Sequence, residues 1–189
     1  MNLSLKIVAL GTSLTATPLW VDKLRTDIQS CVRRDVHVEV VARSGATSRW
    51  GVAQIQQVIR ATPDVVTMEF AANDANLRRF VSLSESRRNH EAIISAVHQA
   101  LPTANIFVFA VSPTWGPRGA WIRPWLADYY ALYPRLADTR RVGFIDARPE
   151  WDLSALRSTI PDGLHPTGPA MAKFVAPILA KAVCASVLK

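Results

Sequence analysis

Short apolar runs alternate with longer amphipathic stretches along this chain, and this alternation constrains the fold more than any other feature. Five runs have the length of a strand and are rich in Val, Ile, Ala and Phe, which is typical of strands that are covered on both faces. They are Leu5–Leu10, Val36–Ala42, Val65–Phe70, Asn105–Val111 and Val142–Asp146. The stretches with helical spacing are Trp20–Arg33, Arg49–Ala61, Ser84–Ala100, Pro124–Asp138 and Gly168–Leu188.

This order of elements predicts parallel strands that are joined by right-handed helical crossovers. We therefore expect an α/β fold, a three-layer α/β/α sandwich around a five-stranded parallel sheet in the flavodoxin-like order. The length of 189 residues suits one domain over residues 1–189.

Composition narrows the class of protein. The hydrophobic content of 49% and the mean hydropathy of +0.11 are typical of a globular chain. Charged residues or proline interrupt every apolar run, and no segment resembles a signal peptide, so we expect a cytoplasmic protein without integral membrane association. Lys and Arg outnumber Asp and Glu by 22 to 15, but the positive charge is dispersed. That dispersion favours a solvated basic surface, and we expect no nucleic-acid partner.

The two cysteines, Cys31 and Cys184, lie in predicted helices and have no metal-ligand spacing. Two free thiols in a reducing compartment are therefore the prediction.

Four short polar segments stand where predicted strands end or the last helix begins. They are Gly11-Thr12-Ser13-Leu14, Ser44-Gly45, Ala71-Ala72-Asn73-Asp74 and Asp162-Gly163-Leu164-His165-Pro166. The ligand sites of open parallel sheets lie at the carboxyl ends of the strands. We therefore expect all four segments to converge on one edge of the sheet.

The residue types in these segments are those of nucleophilic catalysis. Ser13 would hold its hydroxyl at the end of the first strand. His165 stands in a turn-rich loop, and Asp162 is close enough in sequence to accept a hydrogen bond from one imidazole nitrogen. The amide of Asn73 and the backbone N–H of Gly45 are suitable donors to an oxyanion. Taken alone, each of these residues is better explained as part of an ordinary turn or hinge. Zinc binding is not expected, because only Asp162 and His165 cluster.

Taken in order, the four segments resemble those of the SGNH, or GDSL-type, esterase and lipase hydrolases over essentially the whole chain. The resemblance implies a Ser13–His165–Asp162 catalytic triad and an acyl-enzyme intermediate. It also implies an oxyanion hole formed by Ser13, Gly45 and Asn73, and neither a cofactor nor a metal. Two positions depart from the family pattern, since Thr12 replaces an aspartate and Ala71 replaces a glycine.

The segment after the fourth strand holds three of the six tryptophans, Trp115, Trp121 and Trp125. Indole faces stack on sugar rings or acyl chains, and Arg118 or Arg123 would meet a carboxylate or phosphate. We therefore expect a small-molecule or glycan ester as substrate, with an acetyl group on a sugar as one candidate. The alternative is that these tryptophans only pack a long loop onto the domain.

Two other functions remain open at this point. The hydroxyl-rich loop from Gly11 to Thr17 also resembles one that cradles the phosphate of FMN in a flavodoxin-like binding module. A catalytically silent member of the hydrolase family that binds a glycan or a protein partner is the second alternative.

Overall fold

The computed structural model describes residues 4–140 and 142–188. Its centre is a parallel sheet of five strands in the order β2-β1-β3-β4-β5, which confirms the flavodoxin-like prediction. The strands are β1 (Leu5–Gly11), β2 (Val36–Ala42), β3 (Val65–Met68), β4 (Asn105–Ala110) and β5 (Gly143–Asp146).

Helices cover both faces of this sheet. They are α1 (Trp20–Val32), α2 (Ser48–Ala53), α3 (Ile55–Arg60), α4 (Ala71–Asp74), α5 (Leu83–Ala100), α6 (Leu126–Arg140), α7 (Leu156–Thr159), α8 (Gly168–Phe174) and α9 (Ala176–Val187). One layer is made by α1, α8 and α9, which pack on one another, and the other is built around α5, which contacts α2, α3 and α6.

The apolar pattern explains why the central strands lie inside. Every residue of β3 is buried, as a strand with helices on both faces requires. On α1 the buried residues are Trp20, Leu24 and Ile28, spaced four apart on one helical face. The Trp20 ring lies 6.4 Å from the ring of Phe109 in β4, so α1 packs directly on the sheet.

Two predicted helices are each divided in the structure. The stretch Arg49–Ala61 breaks at Gln54, whose N–H donates to the carbonyl of Gly51 three residues back. The stretch Gly168–Leu188 bends by 42° between α8 and α9, where Pro177 lacks the N–H that would continue the first helix. Among the described residues no single helix is long and apolar enough to cross a bilayer, and α8 with α9 reaches that length only as a bent pair.

The prediction of two free thiols is wrong. Cys31 in α1 and Cys184 in α9 form a disulfide, with their Cα atoms 6.3 Å apart. They meet because α1 and α9 pack side by side, although 153 residues separate them in sequence. Disulfides persist in oxidising compartments, so this pairing argues against a reducing one. The cytoplasmic location itself stays a prediction.

Candidate active site

Ser13 lies two residues beyond the end of β1, in a turn that is closed by a hydrogen bond from the Ala16 N–H to the Thr12 carbonyl. Its Oγ is 3.0 Å from Nε2 of His165, a residue 152 positions away in sequence. The structure therefore brings the serine and the histidine within hydrogen-bonding distance at the carboxyl edge of the sheet.

A short turn before α8 holds His165. One carboxylate oxygen of Asp162, Oδ1, accepts the backbone N–H groups of Leu164 and His165 at 3.0 and 2.7 Å. The other, Oδ2, lies 2.7 Å from Nδ1 of His165. Gly163 has a φ of +80°, and a Cβ there would stand 2.0 Å from the Trp115 carbonyl oxygen. The turn thus requires glycine between the aspartate and the histidine.

The electrostatics of Asp162 favour its ionised form. Partial burial acts to raise the pKa of this carboxyl, but the hydrogen bonds from the side chain and backbone of His165 and from Leu164 outweigh it and hold the pKa well below its usual range. An ionised Asp162 fixes a proton on Nδ1, which leaves Nε2 with a lone pair towards Ser13.

The candidate oxyanion donors lie beside Ser13. Asn73, in α4, donates from Nδ2 to the Ala46 carbonyl at 2.8 Å, and the same NH2 group carries a second N–H. Gly45, one residue before Ala46, has a φ of +71°. The Asn73 bond therefore ties its own amide to the loop that carries Gly45, and both residues line one cavity with Ser13.

Replacing Asn73 by alanine is expected to lower kcat by about 100- to 1000-fold, because one donor to the developing oxyanion is lost. Steady-state kinetics on an aryl acetate would measure this. Asn89→Ala is the matched control, since its amide also bonds within the fold, to Ser48 Oγ, but does not line the cavity. Near-full activity in Asn73→Ala would refute the oxyanion role.

Glu69, which follows β3, is a site residue that the motifs did not indicate. Its buried Oε1 accepts hydrogen bonds from the N–H and hydroxyl of Thr12, at 2.7 and 2.8 Å. It also accepts the N–H and hydroxyl of Thr15, at 3.3 and 2.7 Å. Burial raises its pKa to about 7 even though these four bonds favour the carboxylate. Glu69 thereby holds the turn on both sides of Ser13. The sequence feature that could have indicated this role is an acidic residue at the end of an apolar strand.

The two departures from the family pattern fit their surroundings. Thr12 donates to Glu69, and its hydroxyl also accepts the Leu14 N–H at 3.1 Å. An aspartate at this position would place a second carboxylate against Glu69. Ala71 is buried at the start of α4 and donates its N–H to the Tyr133 hydroxyl at 3.0 Å.

Asp74 is a second residue that anchors the site without lining the cavity. It is buried, and it accepts the Ser48 N–H at 2.8 Å and the Ser86 hydroxyl at 2.6 Å. Because α2 begins at Ser48, the first of these bonds ties α4 to the end of the Gly45 loop, and the second ties α4 to α5.

The cavity at this edge of the sheet has a volume of about 450 Å³. Among its lining are Ser13, Gly45, Asn73 and His165, together with the arginines Arg78, Arg79, Arg118 and Arg123. A larger groove of about 660 Å³ lies between α5 and α6 and contains none of the predicted site residues that the structure describes.

The tryptophan segment is placed differently from the predicted site. None of Trp115, Trp121 and Trp125 belongs to the described lining of the cavity. Trp115 instead packs the loop, since its Nε1 donates to the Ile160 carbonyl at 2.9 Å and its backbone N–H to Gly163 at 3.0 Å. Trp121 and Trp125 are exposed, with relative exposures of 72% and 58%.

The two arginines that were predicted to meet an anion do line the cavity, but each already has partners. Arg118 lies 3.3 Å from Oδ2 of Asp162. Arg123 is buried and donates to the carbonyls of Ala72, Arg118 and Gly119. Burial lowers the pKa of Arg123, and the nearby Arg79 charge acts in the same direction. In the part of the chain that the structure describes, no three His, Cys, Asp or Glu side chains group as metal ligands would.

The fold and its relatives together define a carboxylic ester hydrolase. A sequence model of the GDSL-like lipase/acylhydrolase family matches residues 9–173. An arylesterase from Vibrio mimicus is 30% identical over 93% of this chain and 88% of its own length. The chain belongs to the GDSL-like lipase/acylhydrolase family.

Solved structures share the same fold. A carbohydrate acetylesterase family member from Sinorhizobium meliloti superposes with a TM-score of 0.78 at 18% identity, covering 98% of this chain and 100% of its own. A catalytic mutant of an acetylxylan esterase from Geobacillus stearothermophilus superposes with a TM-score of 0.75 at 17% identity, covering 99% and 96%.

Proposed function

We propose that the protein is a serine esterase that hydrolyses short acyl esters through a Ser13–His165–Asp162 triad and an acyl-enzyme intermediate. The observation that carries this proposal is the unbroken chain from the Ser13 hydroxyl through both imidazole nitrogens to the Asp162 carboxylate, with heavy-atom distances of 3.0 and 2.7 Å. These lengths are those at which a general base takes a hydroxyl proton.

In the first half of the reaction, Ser13 Oγ attacks the ester carbonyl while Nε2 of His165 accepts the hydroxyl proton. The carbonyl oxygen gains the negative charge, which the N–H groups of Ser13 and Gly45 and the amide of Asn73 stabilise. Collapse of the tetrahedral intermediate breaks the bond to the alcohol, and His165 returns the proton to that leaving oxygen.

In the second half, water attacks the acyl-enzyme. His165 takes a proton from the water, a second tetrahedral intermediate forms in the same oxyanion hole, and Ser13 Oγ leaves with the proton from His165. The carboxylic acid is released and Ser13 is restored. Asp162 stabilises the imidazolium in both halves, and no step needs a cofactor.

For the substrate we propose small acyl esters, with acetyl esters of carbohydrates among them. A cavity of about 450 Å³ suits a short acyl group and a small alcohol. The arylesterase and acetylxylan esterase names of the relatives support this range. The exposed indole faces of Trp121 and Trp125 offer stacking surface for a sugar ring outside the cavity.

The flavodoxin-like alternative finds no support in the loop after β1. A phosphate site there would use the hydroxyls of Thr12 and Thr15, but both side chains are buried and donate to Glu69. The ionised form of Glu69, which these hydroxyls contact, would also repel a phosphate. The other alternative, a catalytically silent member of the family, differs from an active esterase only in whether Ser13 reacts. A measurement of Ser13 reactivity therefore distinguishes the two.

Fluorophosphonate labelling separates these two functions. We expect stoichiometric phosphonylation of Ser13, located by intact mass and peptide mapping, and a large loss of labelling in His165→Ala because the general base is gone. His37→Ala is the matched control, since His37 is an exposed residue of β2 outside the cavity. Unlabelled wild-type protein would be assayed separately on phenyl acetate and on acetylated xylooligosaccharides to compare the two substrates. A folded protein that does not react at Ser13 would refute the esterase proposal and favour a silent binding member.

A further inference from the structure

Four arginines line the cavity beside Ser13, and the acid that pairs with one of them, Asp162, belongs to the proposed triad. Arg78, Arg79, Arg118 and Arg123 all line it, and none of the described lining residues is Asp or Glu. The chain as a whole carries a formal charge of +7. A concave site with one sign of charge raises the local concentration of ligands of the opposite sign.

Arg79 stands at the oxyanion loop itself. A Cβ built on Gly45 would lie 2.5 Å from Nη2 of Arg79 and 3.2 Å from its Cζ, so the guanidinium occupies the space that a side chain at position 45 would take. The missing side chain at Gly45 therefore lets a positive charge approach one of the proposed oxyanion donors.

The backbone that carries Arg79 is held in place from both sides. The Leu77 N–H donates to the Ile122 carbonyl at 3.0 Å, and the Arg79 N–H donates to the Asn76 carbonyl at 2.8 Å. Arg49, which is paired with Glu85, donates to the carbonyls of Arg79 and Phe80. The guanidinium thus projects from an ordered turn.

Arg79 differs from Arg118 and Arg123 in having its charge available. Arg123 is committed to three backbone carbonyls, and Arg118 is paired with Asp162. Within the described chain, the Arg79 guanidinium makes neither a hydrogen bond nor an ion pair, and the residue is exposed. An exposed, unpaired guanidinium at the edge of a reaction centre is a ready partner for a carboxylate or phosphate.

We propose that this cleft selects esters that carry an anionic group close to the scissile bond, and that Arg79 binds that group. The inference rests on the proposed esterase function, because it assigns the substrate class of the same cleft. The anion is carried on the acyl side or on the alcohol side of the ester, and the two are distinguished by separate substrates.

The kinetic test uses two pairs of esters that differ in charge. For the alcohol side, 4-acetoxybenzoate is compared with its methyl ester; for the acyl side, mono-(4-nitrophenyl) adipate is compared with 4-nitrophenyl hexanoate. We expect the wild-type kcat/KM to favour the anionic member of one pair by about tenfold. The ratio of kcat/KM for the anionic ester to that for the neutral ester should fall towards one in Arg79→Gln and be partly kept in Arg79→Lys. In the wild type, this ratio should decrease when the salt concentration is raised from about 0.05 M to about 0.5 M.

Arg60→Gln is the matched control, because it removes one exposed positive charge from α3, outside the cavity. It should leave the preference at the wild-type value. If Arg79→Gln keeps the wild-type ratio for both pairs, or if the wild type shows no preference in either pair, the anion site is refuted while the esterase function stands.

A binding measurement tests the anion site without catalysis. In Ser13→Ala, calorimetric titration should show the anionic member of one of the two pairs binding about tenfold more tightly than its neutral counterpart. The added Arg79→Gln change should abolish the difference. That result would support the anion site even if Ser13 failed to react with fluorophosphonate, and equal affinities within both pairs of esters would refute it.

Discussion

Replacement of Ser13 by alanine is expected to lower kcat on short acyl esters by about a million-fold, the largest effect that we predict. The change removes the oxygen that forms the acyl-enzyme, so His165 has no nucleophile to activate. The surrounding turn should persist, because its hydrogen bonds to Glu69 come from Thr12 and Thr15. Steady-state kinetics on phenyl acetate, with an unchanged melting temperature, would measure the effect.

Ser30→Ala serves as the control for this change. Ser30 is exposed on α1, and its hydroxyl donates to the carbonyl of Thr26 in the same helix, so its loss should leave kcat at the wild-type level. Without the nucleophile, only the oxyanion hole and substrate binding still accelerate the reaction. A Ser13→Ala protein that retained more than about one thousandth of the wild-type kcat would exceed this residual activity and would contradict a serine nucleophile.

The second largest effect is expected for Asp162→Asn, which should lower kcat by about ten thousand-fold. An amide retains an oxygen for the Leu164 and His165 N–H groups, so the turn should stay folded. It lacks the negative charge that stabilises the imidazolium, and its NH2 group favours the tautomer whose Nε2 is already protonated. That tautomer has no lone pair for the Ser13 proton.

Asp152→Asn provides a matched comparison. Asp152 also closes a short turn, by accepting the N–H and hydroxyl of Ser154, whereas Asp162 in addition lies 2.7 Å from Nδ1 of His165. The kcat and the melting temperature of both variants would be measured. A loss of kcat in Asp162→Asn alone would indicate lost orientation of His165, whereas a similar loss of stability in both would be the cost of removing a carboxylate that closes a turn. A less than tenfold loss of kcat in Asp162→Asn would contradict its proposed role.

The fold could be predicted because the residue pattern within each short segment already indicates a strand or a helix. Near-continuous apolar runs such as β3 require cover on both faces, and the helices between them dictate parallel pairing. Topology then places the residues after each strand at one edge, which is why Ser13, Gly45 and Asn73 could be grouped before any contact was known. Asp162 lies three residues from His165, so their proximity was also local.

The features that the sequence did not reveal depend on contacts between distant segments. Glu69 lies 57 positions from Thr12, and its role appears only when β1 and β3 pair. Cys31 and Cys184 meet through the packing of two helices. Arg79 looked like one of several dispersed charges, since its position over Gly45 depends on how two loops fold together.

The sequence also does not show in which direction a side chain in a long loop points. Position alone placed Trp121 near the cleft, but which side of a loop meets the cavity is set by its bonds to neighbouring turns. Trp115 shows this, since its indole donates to Ile160 and its backbone to Gly163. The loop is thus fastened to the turn of Asp162, and the indole of Trp121 is left in solvent.

The Cys31–Cys184 bond closes residues 31–184 into a covalent ring. Ser13 stands on the tail before this ring, whereas Asp162 and His165 are part of it. A single proteolytic cut anywhere within the ring therefore leaves the nucleophile and its base on one covalent molecule. After such a cut, the two fragments could diffuse apart only if the disulfide were also reduced.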